Sequence, residues 1–159
     1  MSAKILLLVS GRPEDAAIAS EVAGIAGLTL KKIPDPKQAA TLIVNEEPAV
    51  IFADASSEAI YAAFEKAIQD TVGLFSDKIN ANAIHFLSSE NLEGVPYLIQ
   101  SPLFGHFVLR NYGNTASAGQ HYGRIVRATL ATRAFGLKGL LKDGSKIQTV
   151  KLQLTTQKQ

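Results

Sequence analysis

Short apolar runs, each closed by turn-forming residues and spaced by segments of helical period, constrain this chain more than any other feature. Residues Ile5–Val9 are apolar throughout and stop at Ser10-Gly11-Arg12-Pro13. A run that is apolar at every position has no solvent face, so it reads as a parallel strand covered on both sides. Residues 49–53 repeat the pattern, residues 83–87 read as a further strand, and Thr29–Ile33 reads as a strand closed by Pro34-Asp35-Pro36. Residues 97–100 read as a short fifth strand. Between the first two runs, Pro13 suits the first turn of a helix, with Glu14 and Asp15 near its positive end. Ile18, Val22 and Ile25 then recur at helical spacing, and Gly27 marks the stop. Residues 37–45 present Ala40, Ile43 and Val44 as a short helix. Ile60, Phe64 and Ile68 stand four apart in a longer one, with Val72 and Phe75 extending the stripe. Alternation of this kind implies right-handed crossovers and a five-stranded parallel sheet with helices on both faces, an α/β doubly wound fold.

The remainder of the chain changes character. Residues 104–110 read as a short helix, 113–120 as a polar loop, and 122–135 as a basic helix with Ile125, Val126 and Leu130 as its apolar positions. Residues 137–141 add a helical turn, and Lys142-Asp143-Gly144-Ser145 signals a reversal. Residues 147–154 alternate so that Val150, Leu152 and Leu154 share one face, the pattern of a half-buried strand. The expected organisation is therefore a domain over residues 1–103 and a basic extension over 104–159. Unburied, that extension would forgo about 1.5–3 kcal/mol per large apolar side chain, so it is expected to pack on the domain or on a dimer partner. Charge divides the same way. Residues 1–100 hold seven Lys/Arg against thirteen Asp/Glu, a net of −6, and residues 101–159 hold nine against one, a net of +8. Such a split either draws the two parts together or marks two functional surfaces.

Several classes of function fall away. The chain has no cysteine, which removes disulfides, thiolate metal sites and thiol nucleophiles. It has neither the form of a signal peptide at its start nor an apolar run near the roughly 18 residues of a membrane span, so the expected location is cytoplasmic. His85, His106 and His121 lack metal-ligand spacing, and no metal or cofactor is expected. The Ser pairs at 56–57 and 88–89 lie outside a nucleophile elbow, and no Gly-rich phosphate loop follows the first strand. Arg124, Arg127 and Arg133 on the basic helix read first as a solvated face and second as a phosphate-binding one.

Residues 35–54 carry a resemblance. Asp35 closes one strand, a helix follows, and Pro48-Ala49-Val50-Ile51-Phe52-Ala53-Asp54 runs as proline, apolar strand and terminal acid. With Lys4-Ile5-Leu6-Leu7-Leu8-Val9 and Pro13-Glu14, this resembles the receiver domain of bacterial response regulators, over roughly residues 3–103. The resemblance implies a flavodoxin-like sheet and a two-component signalling context. It also implies a phospho-acceptor pocket: an aspartate ending the third strand, an acid pair after the first strand holding magnesium, a Ser or Thr after the fourth, and a Lys after the fifth. Magnesium wants hard oxygen ligands, and fixed cations stabilise the phosphoryl group in transfer.

This sequence keeps the acceptor and loses most of the rest. Asp54 stands at the acceptor position and Ser88, or Ser89, at the Ser/Thr position. Ser10 and Gly11, with Arg12 beside them, replace the acid pair, and Ser101-Pro102 replaces the Lys-Pro. Gly94 and Pro96 leave too little room after Ser88 for a full fourth helix. The expected reading is a degenerate, non-catalytic pseudo-receiver, with Asp54 either a relic or the partner of Arg12 in a structural ion pair, serving as a protein-interaction or regulatory module through a protein partner or homodimer. An atypical receiver phosphorylated on Asp54 is the alternative, and a nucleic-acid-binding accessory domain using the basic tail ranks third. Phe135-Gly136-Leu137 with Leu140-Leu141 and Gly144 resembles a linker to a histidine-kinase-type ATPase domain, which makes such a domain a candidate partner.

Overall fold

The computed structural model describes residues 5–71, 84–90, 92–100, 106–110 and 113–142. Five strands, β1 (Ile5–Val9), β2 (Thr29–Ile33), β3 (Val50–Asp54), β4 (Ile84–Ser88) and β5 (His106–Leu109), form one sheet in the order β2-β1-β3-β4-β5. All four pairings are parallel. The helices are α1 (Pro13–Ala26), α2 (Ala39–Glu46), α3 (Glu58–Thr71), α4 (Pro96–Ile99) and α5 (Thr115–Lys142). This is the doubly wound, flavodoxin-like arrangement.

The pleat assigns the core to two layers. Leu7, Val9, Ile51, Ala53, Ile84 and Phe86 face α2, α3 and α4, meeting Ile43, Tyr61, Phe64, Ile68 and Leu98. Leu6, Leu8, Val50, Phe52, Leu87 and Val108 face α1 and α5, meeting Ile18, Val22, Ala118, Tyr122 and Val126. β1 and β3 are central and buried on both faces, which is why β1 is apolar throughout and β3 is apolar up to its terminal Asp54, whereas edge strand β2 exposes Lys31 and Lys32.

Helix ends follow local chemistry. α1 starts with Pro13 in its first turn and stops at Gly27, whose φ of 72° is the left-handed conformation that glycine adopts without strain. The amide of Leu28 returns to the Ala23 carbonyl at 2.8 Å, completing the cap. Asp35 accepts from the Lys37 amide at 2.9 Å and opens a single 3-10 turn, Pro36–Gln38, that leads into α2.

Two expected elements exchange character. Residues 97–100, expected as the fifth strand, lie mostly in α4, because Pro96 at the helix start fixes a helical φ. The fifth strand is instead β5, inside the segment expected as a helix. Both segments are apolar runs of about four residues, too short for periodicity to separate helix from strand. The division expected at residue 103 therefore leaves β5 and α5 on its far side, although both belong to the layered unit. The expected shortening after Ser88 is seen: a 3-10 turn, Leu92–Gly94, and the four-residue α4 occupy the interval.

Residues 115–120 of the expected polar loop and the two helical segments after it are one continuous helix, α5. Asn114 caps it by accepting from the Ser117 amide at 2.8 Å. The small residues that suggested a loop instead serve close packing. A Cβ on Gly119 would lie 2.5 Å from Glu21 Cβ, and one on Gly123 would lie 2.8 Å from Ile25 Cδ1. The Tyr122 hydroxyl accepts from the Leu109 amide at 2.9 Å, on the outer edge of β5. Val72, Phe75 and the strand expected at 147–154 lie outside the described residues.

Candidate functional site

In an open parallel sheet, functional groups gather beyond the carboxyl ends of the strands, at the point where successive crossovers leave in opposite directions. The order β2-β1-β3 puts that point between β1 and β3. Ser10, Gly11 and Arg12 follow β1, Asp54 ends β3, Ser88 ends β4 with Ser89 after it, and Arg110 follows β5.

Arg110 organises the cluster. Its Nε and Nη2 donate to Asp15 Oδ1 and Oδ2, both at 2.7 Å, a bidentate pair. The same Nη2 donates to Asp54 Oδ1 at 3.0 Å, so one nitrogen is shared by two carboxylates. Nη1 donates to Ser56 Oγ at 2.6 Å and to Ser89 Oγ at 3.0 Å. Asp15 is fully buried, and the side chains of Arg110 and Asp54 are 4% and 9% exposed. Burial alone would lower the Arg110 pKa, but the hydrogen bonds and negative charges of Asp15 and Asp54 outweigh it and hold it above its ordinary value.

The carboxylates are engaged further. Ser10 Oγ donates to Asp15 Oδ2 at 2.7 Å and itself accepts from the Arg12 amide at 3.1 Å. Asp54 Oδ1 also accepts from the Ser56 amide at 2.9 Å and from the Ser56 hydroxyl. Asp54 Oδ2 faces Arg12 Nε at 3.5 Å, and Arg12 Nη1 lies 3.5 Å from Glu14. The expected Arg12–Asp54 pair is thus present, but it is the looser of the two pairs Asp54 makes.

Ser88 and Ser89 divide their roles. Ser88 Oγ donates to the Glu90 carbonyl at 2.9 Å and accepts from the Glu90 amide at 3.0 Å, which ties down the loop. Ser89 reaches the cluster. Nearby, the Tyr97 hydroxyl donates to the Ala55 carbonyl at 2.8 Å, and partial burial, then the charges of Glu90, Asp54 and Glu58, push its pKa up. Ser101 lies outside the described residues.

Two members of the site escape a reading of the sequence. Asp15 stands three positions before Ile18 and four before Ala19, on the buried stripe of α1, and a carboxylate there signals a buried partner. Arg110 falls after the fifth strand, where the receiver resemblance puts a lysine, once that strand is placed at His106–Leu109.

In front of Asp54 lies a cleft of about 540 Å³. It is lined by Val9, by Pro34 and Pro36 and by Ile60, Ala63 and Phe64 of α3, with the partly exposed Arg12 beside them.

No family model matches the sequence, and no curated protein matches it. Among solved structures, the fold is similar to the crystal structure of a sensor protein from Polaromonas sp. JS666, with a TM-score of 0.56 and 14% identity, over 79% of this chain and 97% of that one. At that identity the likeness concerns the fold.

Proposed function

We propose that this chain is a non-catalytic pseudo-receiver that acts as a protein-interaction or regulatory module in bacterial signal transduction. The observation that carries the reading is the single Arg110 nitrogen shared by Asp15 Oδ2 and Asp54 Oδ1. Phosphoryl transfer to an aspartate uses a metal cation that touches both the acceptor carboxylate and the incoming phosphoryl group. Here a guanidinium on a covalent tether fills the space between the carboxylates, and its five hydrogen bonds are already committed to protein acceptors. Asp54 Oδ1 accepts three donors, which lowers its reactivity as a nucleophile. The likeness to a protein described as a sensor is in keeping with a signalling role. The partner is a protein, either a second copy or a domain of the histidine-kinase ATPase type.

The test is to incubate the full chain with acetyl phosphate and magnesium and to weigh it. The expected mass is that of the unmodified chain, and calorimetry should give no sub-millimolar magnesium affinity. A phosphoryl adduct mapped to Asp54 would refute the reading and establish an atypical phospho-acceptor.

A further inference from the structure

The cleft has features that the ion-pair cluster does not use. Its volume of about 540 Å³ lies within the roughly 300–1,000 Å³ typical of small-molecule sites. It sits at the β1/β3 switch point, and its lining is mainly apolar, with Val9 and Phe64 buried and Pro34 and Ile60 also lining it.

At the rim a donor and an acceptor stand side by side without a hydrogen bond to any described residue. Arg12 contacts Glu14 and Asp54 only as loose ion pairs at 3.5 Å, and Asp54 Oδ2 meets only Arg12 Nε at that distance. Charge is balanced where the ligand would sit. The two charged residues that line the cleft, Arg12 and Asp54, are of opposite sign, so neither a free anion nor a free cation is favoured. A neutral ligand that offers an acceptor to Arg12 and a donor to Asp54 Oδ2 would use both groups at once. Adjacent C=O and N–H on a flat ring have that form, and the ring body would lie on the apolar walls.

We infer that this cleft binds a small, planar, uncharged heterocycle through an amide edge, with the ring carbonyl on Arg12 and the ring N–H on Asp54. The inference rests on the non-catalytic reading, because a phosphoryl group on Asp54 would occupy the same oxygen. A ligand held there would sit against α3 and the turn before α2, and so would couple small-molecule binding to those surfaces.

The probe is quinazolinone, a fused bicycle with adjacent ring C=O and N–H, measured by saturation-transfer NMR and calorimetry on the full chain. Its N-methyl derivative and naphthalene serve as controls. Quinazolinone should bind, the N-methyl derivative at least tenfold more weakly, and naphthalene more weakly still. Arg12→Ala should weaken quinazolinone at least tenfold while leaving the melting temperature close to that of the parent, since the Arg12 side chain is 42% exposed. Ala63→Phe, which fills the cleft from α3, should abolish binding. No transfer to quinazolinone, or equal binding of quinazolinone and its N-methyl derivative, would overturn the inference. A phosphoryl adduct on Asp54 in the separate mass measurement would overturn the non-catalytic reading instead, so the two failures are distinguishable.

Discussion

Replacing Arg110 with methionine keeps much of the side-chain length and removes the guanidinium. Asp15 then retains one hydrogen bond, from Ser10, at a fully buried position. Asp54 keeps its Ser56 donors and the loose contact with Arg12. Water screens little of this, because the three side chains are between 0% and 9% exposed. Removing one partner of a buried pair costs about 3–5 kcal/mol, against a total stability on the order of 5–15 kcal/mol. For a chain of this size each kcal/mol lowers the melting temperature by about 2–4 °C, so Arg110→Met should melt about 6–20 °C below the parent. Urea titration followed by circular dichroism at neutral pH gives the free energy directly. Adding Asp15→Asn to the methionine variant removes one of the stranded charges, so the double variant should lose less than the sum of the single losses, by about 0.5–3 kcal/mol. Millimolar magnesium should stabilise Arg110→Met, whose converging carboxylates are free to take a hard cation, and leave the parent unchanged. A loss below about 1 kcal/mol for Arg110→Met, or additivity within about 0.5 kcal/mol, would refute the view that Arg110 neutralises this cluster.

Two further substitutions test the packing and the loop beside the site. Gly119→Ala should destabilise by about 1–2 kcal/mol in a urea titration, because its Cβ would meet Glu21 Cβ at 2.5 Å and overpacking outweighs the helical preference of alanine. Gly24→Ala on α1 meets nothing within 4 Å and should stabilise, so a shared sign for the two would contradict the close-packing account. The Tyr97 phenol has its pKa raised in the folded state, so the folded protein holds that proton more tightly than the unfolded chain does. Its contribution is complete below about pH 10 and is lost as pH rises through the folded value. Stability measured between about pH 8 and 11 should therefore fall more steeply for the parent than for Tyr97→Phe, and parallel profiles would count against the assignment.

The sheet was legible because burial on both faces leaves an unmistakable mark: Ile5–Val9 and Val50–Asp54 admit no solvent-facing register. Gly27 and Pro13 were legible because their backbone demands are local. The fifth strand was not, since four residues beside Pro96 and four beyond it carry the same apolar signal and only pairing with β4 distinguishes them. That one ambiguity also hid Arg110, whose role depends on standing at a strand end. Asp54 was found by its position after an apolar run. In sequence Asp15 has the place of a helix-terminus charge, because nothing within α1 says that an arginine 95 residues away will cover it. Part of the acidic-to-basic division of the chain has its physical meaning in this pairing, which joins the acidic first hundred residues to the basic remainder through the core.

The hydroxyl of Tyr122 on the Leu109 amide bears on how copies of this protein can assemble. A terminal strand ordinarily offers its outward amides to any extended peptide, and sheets grow between molecules by that route. At β5 a side chain from α5 already occupies the outward amide of Leu109, and at the opposite end β2 presents Lys31 and Lys32 to solvent. Growth of the sheet is thus obstructed by a hydrogen-bonded cap on one margin and by charged side chains on the other, where Lys31 pairs with Glu46. Association through this fold is directed to its helical faces, where contacts are made by side chains and can be specific, and away from the backbone-to-backbone pairing that would let any exposed strand join.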